Sequence, residues 1–269
     1  MIKLKSAIFA VLLALICLPQ LSLAGWRQLP GSATDIGAGG GQVWITGTDS
    51  VDGGASIYHW NSRDWQAIDG GATAISVDQN GNPWVVNANG EIFFHQVNWQ
   101  KLPGAARDIA VGGRNSVWVI GVDPAPGGYQ IFHWNGHDWD RIEGGAVRIA
   151  VDPYGNPWVV NSSGEIFRLA NGSQWQRLPG SGVDIAIGAD GAVWLVGNDA
   201  QPSGYGIYRW TGRGWEQVDG AAERIAVDRR GRPWVINREG SIFKFIHDRR
   251  GDRRRIRLGG NVVGVDIRL

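Results

Sequence analysis

Three aspartates recur in one setting. Gly47-Thr48-Asp49, Gly121-Val122-Asp123 and Gly197-Asn198-Asp199 each lead to a further glycine, and the residue after it is Ala55, Tyr129 or Tyr205. A carboxylate accepts two hydroxyls at once and a tyrosine adds a ring and a hydroxyl, which suits a sugar-like ligand; an aspartate also caps its own loop. Asn87, Asn161 and Asn237 each close a Trp-x-x strand. Their amides both donate and accept, as sugar hydroxyls require, although the turn that follows suits them better. Catalysis finds little. His59, His95, His133, His137 and His247 form no His-Glu-x-x-His pair, and no Gly-x-Ser-x-Gly elbow accompanies them. No catalytic residue is assigned. One carboxylate per Asp-x-x-Gly turn falls short of the about six to eight oxygens of a calcium site, so no metal or cofactor is expected.

The elements that must hold these residues are repeated. Leading tryptophans stand at 26, 65, 99, 139, 175 and 215. Five residues after each comes a glycine, from Gly31 to Gly220, and ten after each an isoleucine: Ile36, Ile75, Ile109, Ile149, Ile185 and Ile225. A second tryptophan follows (Trp44, Trp84, Trp118, Trp158, Trp194, Trp234), and then an isoleucine before Tyr or Phe, from Ile57 to Ile242. Each unit thus offers four short strands, beginning with the leading tryptophan. The turn Asp152-Pro153-Tyr154-Gly155 between two of them has type I chemistry. Gly or Pro interrupts every helical period, which leaves an all-β ring of four-stranded blades. Odd units carry Leu-Pro-Gly and a long loop; even units carry the Asp-x-x-Gly turn and a short one. The spacing predicts a six-bladed β-propeller of alternating long-loop and short-loop blades, with the six isoleucines innermost. The long loops then share a face with the Leu-Pro-Gly loops, opposite the Asp152-type turns. Residues 255–269 repeat the first half of a unit and are read as a ring-closing segment; the alternative is a seventh, incomplete blade. The fifteen tryptophans all fall in strand columns and are assigned to packing.

With 269 residues, a net charge of +1, 43% apolar residues and 41 glycines, the chain is neither disordered nor collagenous. Its charge balance gives no case for nucleic acid. Residues 1–24 read as a signal peptide: Lys3 and Lys5, an apolar run too short to span a bilayer, then Ser22-Leu23-Ala24. Cleavage after Ala24 makes residues 25–269 a secreted or periplasmic domain, not an integral membrane protein. Its only cysteine, Cys17, lies in the leader. Six arginines between Arg249 and Arg257 form either an anion contact or a solvated linker.

The unit Trp-x-x-Leu-Pro-Gly, Asp-Ile-Ala-x-Gly, Val-Trp-x-x-Gly, Ile-Tyr-x-Trp resembles the tectonin repeat of fish egg lectins, a horseshoe-crab plasma lectin (the tachylectin type) and the slime-mould and fungal tectonins, over residues 26–245. The resemblance implies a non-catalytic lectin for microbial surface glycans or lipopolysaccharide, with O-methylated sugars in some members. The alternatives are a structural or protein-interaction propeller of the cell envelope, with a protein partner, and a propeller lyase or glycosidase.

Overall fold

The structure, a computed structural model, describes residues 25–170, 172 and 174–246. The leader and the segment 255–269 lie outside these residues. Among the described residues there are twenty-three strands and a single 3-10 turn, at Gly113–Asn115. Among the described residues no helix is long and apolar enough to cross a membrane.

The N-terminal strand β1 (Trp26–Ser32) is followed by a meander of β2 (Asp35–Gly39), β3 (Gln42–Val51), β4 (Gly54–Trp60) and β5 (Trp65–Ala72), paired in that order. The next sheet runs β6 (Ala74–Val77), β7 (Pro83–Val86), β8 (Ile92–His95) and β9 (Trp99–Leu102). A third holds β10 (Ala106–Val111), β11 (Val117–Ala125), β12 (Gly128–Trp134) and β13 (Trp139–Ala146). Then come β14 (Arg148–Val151), β15 (Pro157–Val160), β16 (Glu165–Ala170), β17 (Gln174–Ile187), β18 (Val193–Gln201), β19 (Gly204–Trp210) and β20 (Trp215–Ala222), joined in one seven-stranded run. The long β17 makes that join: residues up to Ser181 pair with β16, and those from Gly182 pair with β18. The last sheet is β21 (Arg224–Val227), β22 (Pro233–Ile236) and β23 (Ser241–Phe245), with β1 on its outer edge.

That last pairing shifts the repeat by one strand. Read from tryptophan to tryptophan, a unit supplies the outer strand of one sheet and the first three strands of the next. The physical reason is local: a tight loop joins the Ile-Tyr-x-Trp strand to the following leading tryptophan, as in Asn61–Asp64, and Trp60 then pairs with Trp65 in register. Trp26, the first leading tryptophan, pairs instead with Phe245 near the far end of the described chain. Among the described residues, β1 on β23 is therefore the contact that joins the two ends.

The isoleucine strands are innermost, as the spacing predicts. β2 lies against β6, β6 against β10, β10 against β14, β14 against the second half of β17, that half against β21, and β21 against β2. Ile36, Ile75, Ile109, Ile149, Ile185 and Ile225 are all buried there. Sheets pack face to face, so strands such as Trp118-Val119-Ile120 are apolar on both faces. The turn at Asp152 closes with Gly155 N–H donating to Asp152 O at 3.0 Å.

The glycine column is explained by the tryptophan column. A Cβ at Gly144 would stand 3.0 Å from the Trp175 indole, and the backbone there has φ +122°. Gly136 also has positive φ but meets nothing within 4 Å. Gly144→Ala should lose roughly 1–3 kcal/mol to backbone strain and more to the displaced indole. Gly136→Ala should show the strain alone. Denaturant midpoints of the two variants check this, and equal losses would remove the indole from the account.

Candidate functional site

Antiparallel order sends the β3–β4, β11–β12 and β18–β19 loops to one side of the ring, together with the starts of the innermost strands. We call this the loop face; the Asp78, Asp152 and Asp228 turns lie on the opposite, turn face. Three groups of polar residues occupy the loop face.

The first surrounds the axis. The residue before each inner isoleucine reads Asp35, Ala74, Asp108, Arg148, Asp184, Arg224 around the ring. Arg148 lies 3.7 Å from Asp108 and 3.8 Å from Asp184, and Arg224 lies 3.8 Å from Asp35. Each carboxylate also reaches into the next sheet: Asp35 accepts the Ile75 N–H at 2.9 Å, Asp108 that of Ile149 at 3.1 Å and Asp184 that of Ile225 at 2.9 Å. A cavity of about 80 Å³ lies among them. Ala74 stands where threefold repetition would put a third arginine, so three carboxylates face two guanidiniums. Burial pushes Asp108 up to about 7 against the opposing Arg148, with Asp35 and Asp184 adding repulsion. Burial also raises Asp35, against Arg224 and Arg148. Burial works against the charge of Arg148, but the three carboxylates outweigh it and raise its pKa. Sequence reasoning passed over this ring, although its alternation was visible in the column before the isoleucines.

The second group is the aspartate column. Asp49 accepts the Tyr58 hydroxyl at 3.0 Å, and that hydrogen bond, with some burial, raises the tyrosine pKa. Asp199 accepts the Gln201 amide at 3.2 Å and, after burial, raises the pKa of Tyr208. Asp123 is exposed, and Phe132 fills the position of those two tyrosines. The carboxylates are thus drawn to Tyr58 and Tyr208 in the sheet. Tyr129 and Tyr205 lie elsewhere, under arginines: the Arg107 guanidinium is 4.1 Å from the Tyr129 centroid and that of Arg238 is 5.8 Å from Tyr205.

The asparagines form the third group, and they build turns. Asn87 Oδ1 accepts the N–H groups of Asn89 and Glu91, Asn161 Oδ1 those of Ser163 and Glu165, and Asn237 Oδ1 that of Ser241 at 2.8 Å. Asn87 and Asn161 then donate their amides to Glu91 and Glu165 at 2.7 and 2.8 Å. Ser241 replaces that glutamate in the last sheet. The long-loop tips reach these same turns: the N–H groups of Ala88, Ser162 and Arg238 donate to Gly53, Gly127 and Ser203. Each long loop therefore reaches over the next sheet, and at the last of these boundaries it roofs a cleft. At the last boundary the cleft is about 360 Å³, floored by Trp26, Ile207, Val235 and Phe243, with Gln201, Ser203 and Asn237 at its rim.

The tryptophans divide as packing demands. None is exposed. Among the histidines, His59 and His133 cover Trp44 and Trp118 at 4.4 Å, and burial lowers their pKa. The Asp78, Asp152 and Asp228 carboxylates each accept backbone N–H groups of their own turn.

Small four-stranded antiparallel sheets about an axis, stitched by repeated side chains, define a β-propeller built from sequence repeats. The tectonin domain model matches residues 72–255, and the chain belongs to that family. Tectonin-1 of Physarum polycephalum is 35% identical over 68 residues, which is 25% of this chain and 30% of that protein. Tectonin-2 of the same organism is 33% identical over 70 residues, 26% of this chain and 19% of that one. The chain thus spans less than a third of either relative. In fold it is similar to YCF48 bound to a D1 peptide (TM-score 0.54, 15% identity, 86% of this chain and 99% of that one). It is also similar to the gluconolactonase XC5397 of Xanthomonas campestris (TM-score 0.59, 15% identity, 81% and 88%). A streptogramin B lyase structure gives a TM-score of 0.52 at 14% identity, over 81% and 96%.

The axial ring makes stability depend on pH. An exposed aspartate loses its proton near about 4, whereas folded Asp108 keeps it up to about 7. Between those values the folded state binds more protons, so stability falls as pH rises through the window. Urea midpoints taken from pH 5 to pH 8 should decline, and Asp108→Asn should flatten the decline. A midpoint that rises with pH would contradict this account.

Proposed function

We propose that the chain is a six-bladed propeller acting as a non-catalytic, multivalent lectin for microbial surface glycans outside the cytoplasm. Blade count rests on the cyclic order of the inner strands, with β17 divided between two blades. The sugar reading rests on the cleft at Asn237. It offers aromatic and aliphatic floor beside a few polar rim groups, the composition that holds a sugar by one face and orients its hydroxyls. Asn237 keeps an amide group that its two counterparts spend on glutamates. In this reading valency comes from the threefold repetition of long loop and asparagine turn on one ring, and the Asn237 cleft is the principal site.

Two other readings are weighed against this one. YCF48 was solved with a peptide, and the same cleft could seat a protein segment. The lactonase and the lyase share the fold at low identity, which bears on architecture and not on turnover. A microbial glycan array, with and without O-methylated sugars, separates sugar from protein recognition. For a sugar that binds, Asn237→Asp keeps the acceptor that Ser241 uses and removes the donor. It should weaken the tightest class of sites by roughly fivefold, one hydrogen bond of about 1 kcal/mol, at unchanged melting temperature. An array with no binding, or full affinity in this variant, overturns the assignment.

A further inference from the structure

The turn face carries a charge asymmetry that the loop-face cleft does not use. The turn at Asp78 reads Gln79-Asn80-Gly81-Asn82 and that at Asp152 reads Pro153-Tyr154-Gly155-Asn156; the third reads Arg229-Arg230-Gly231-Arg232. Arg27 of β1 pairs in register with Lys244 of β23. Lys244 in turn pairs with Trp234, its ammonium 4.4 Å from the indole centroid. Burial lowers the pKa of Lys244, and repulsion from Arg232, Arg27 and Arg230 lowers it further, against Asp228. Arg27, Arg230, Arg232 and Lys244 therefore lie together, and Arg229 extends from the same turn towards Gly41 of the first sheet. Arg27, Arg229 and Arg230 are exposed. The acids nearby are engaged or few. Asp228 is taken by Arg232 at 2.8 Å, and Asp190 lies beside Gly231.

Chain direction adds to this. β23 runs from the loop face to the turn face, so the described chain ends at Ile246 on the edge where the cations stand. The sequence that follows holds Arg249, Arg250, Arg253, Arg254, Arg255 and Arg257. In a chain of net charge +1, five of the described cations thus fall in one sheet. Cations spread over a strand, a turn and a second strand, three of them exposed, match many phosphates in a plane better than one phosphate in a pocket. Each basic residue near an anionic bilayer contributes about 1 kcal/mol, and the effect is screened within a Debye length.

We propose that the turn face of the last sheet, through Arg27, Arg229, Arg230, Arg232 and Lys244, docks on the phosphate headgroups of an anionic lipid bilayer and leaves the loop face turned outward. The proposal is independent of what the loop face binds.

Flotation of the mature full-length chain with phosphatidylcholine vesicles, with or without phosphatidylglycerol, tests it. Binding should require phosphatidylglycerol and should be lost at high salt. Arg229→Ser with Arg230→Ser leaves the Arg232–Asp228 turn contact in place and should weaken binding roughly tenfold or more. Arg63→Ser with Arg213→Ser, on the same face of other sheets, should leave it unchanged. Equal binding by the two double variants overturns the docking surface, since it would place all affinity in the Arg-rich segment. Binding to lipopolysaccharide micelles but not to phosphatidylglycerol vesicles overturns the choice of bilayer. A complete failure to float with either overturns the proposal altogether.

Discussion

The ring is held by one contact made at every sheet boundary: an indole N–H of one outer strand donated to a backbone carbonyl of the preceding one. Trp65, Trp99, Trp139, Trp175 and Trp215 donate to Pro30, Asp69, Pro103, Glu143 and Pro179 at 2.6 to 2.8 Å, and Trp26 closes the circle on Asp219 at 2.6 Å. Each acceptor immediately precedes a glycine of the repeat. In β5, β13 and β20 those two residues interrupt the register with the neighbouring strand, so the ladder leaves a carbonyl free and turns it outward. A bulge alone would strand a polar group. An indole alone would bury an N–H. Together they satisfy both, and the missing Cβ lets the ring lie flat against the bulge. Each hydrogen bond contributes about 1 kcal/mol, and the buried indole area adds more.

Boundaries of the two kinds are not equally bonded, which gives the alternation of units a physical meaning. From a long-loop sheet to the next short-loop sheet, three further contacts cross. An axial carboxylate takes the inner amide, the loop tip reaches the asparagine turn, and the second tryptophan bonds the turn-face carbonyl. The last is seen for Trp44 to Gly81, Trp118 to Gly155 and Trp194 to Gly231, at 3.1 to 3.2 Å. The Nε1 atoms of Trp84 and Trp234, at the other kind of boundary, are buried without an acceptor. The ring is therefore three double sheets. Within each, polar contacts fix loop and turn; between them, packing and the axial arginines do more of the joining.

Much of this was legible in the sequence because the repeat is a set of columns, and columns with one residue type report a position that tolerates one shape. The tryptophan, glycine and isoleucine columns located every sheet and the inner strands. The phase of the sheets was not legible, because a circle has no first element and only the partner of Trp26 reveals the cut. The aspartates of the long loops looked free because sequence does not show that Tyr58 and Tyr208 lie across the sheet from Asp49 and Asp199. The asparagines were legible both as turn formers and as candidate ligands; the turns are present, and the exception at Asn237 needed Ser241 to be seen as a missing glutamate. Residues 255–269, read as a closing segment, lie outside the described residues, and the edge of β23 is taken by β1.

Repetition also explains why departures carry the information about function. In a ring whose units all solve the same packing problem, a residue shared by all units is accounted for by that problem. Only what breaks the pattern needs another reason. Ala74 breaks the axial alternation and leaves a carboxylate in excess. Ser241 breaks the asparagine turns and leaves a donor at a cleft. Arg229 and Arg230 break the neutral turns and charge one face. The first departure lies at the axis on the loop face; the other two lie in the last sheet, whose outer strand comes from the opposite end of the chain. That sheet has Gly25 and Ile246, the ends of the described residues, on the turn face and the Asn237 cleft on the loop face. The two departures of that sheet thus lie on opposite faces of one blade, separated by the length of a strand.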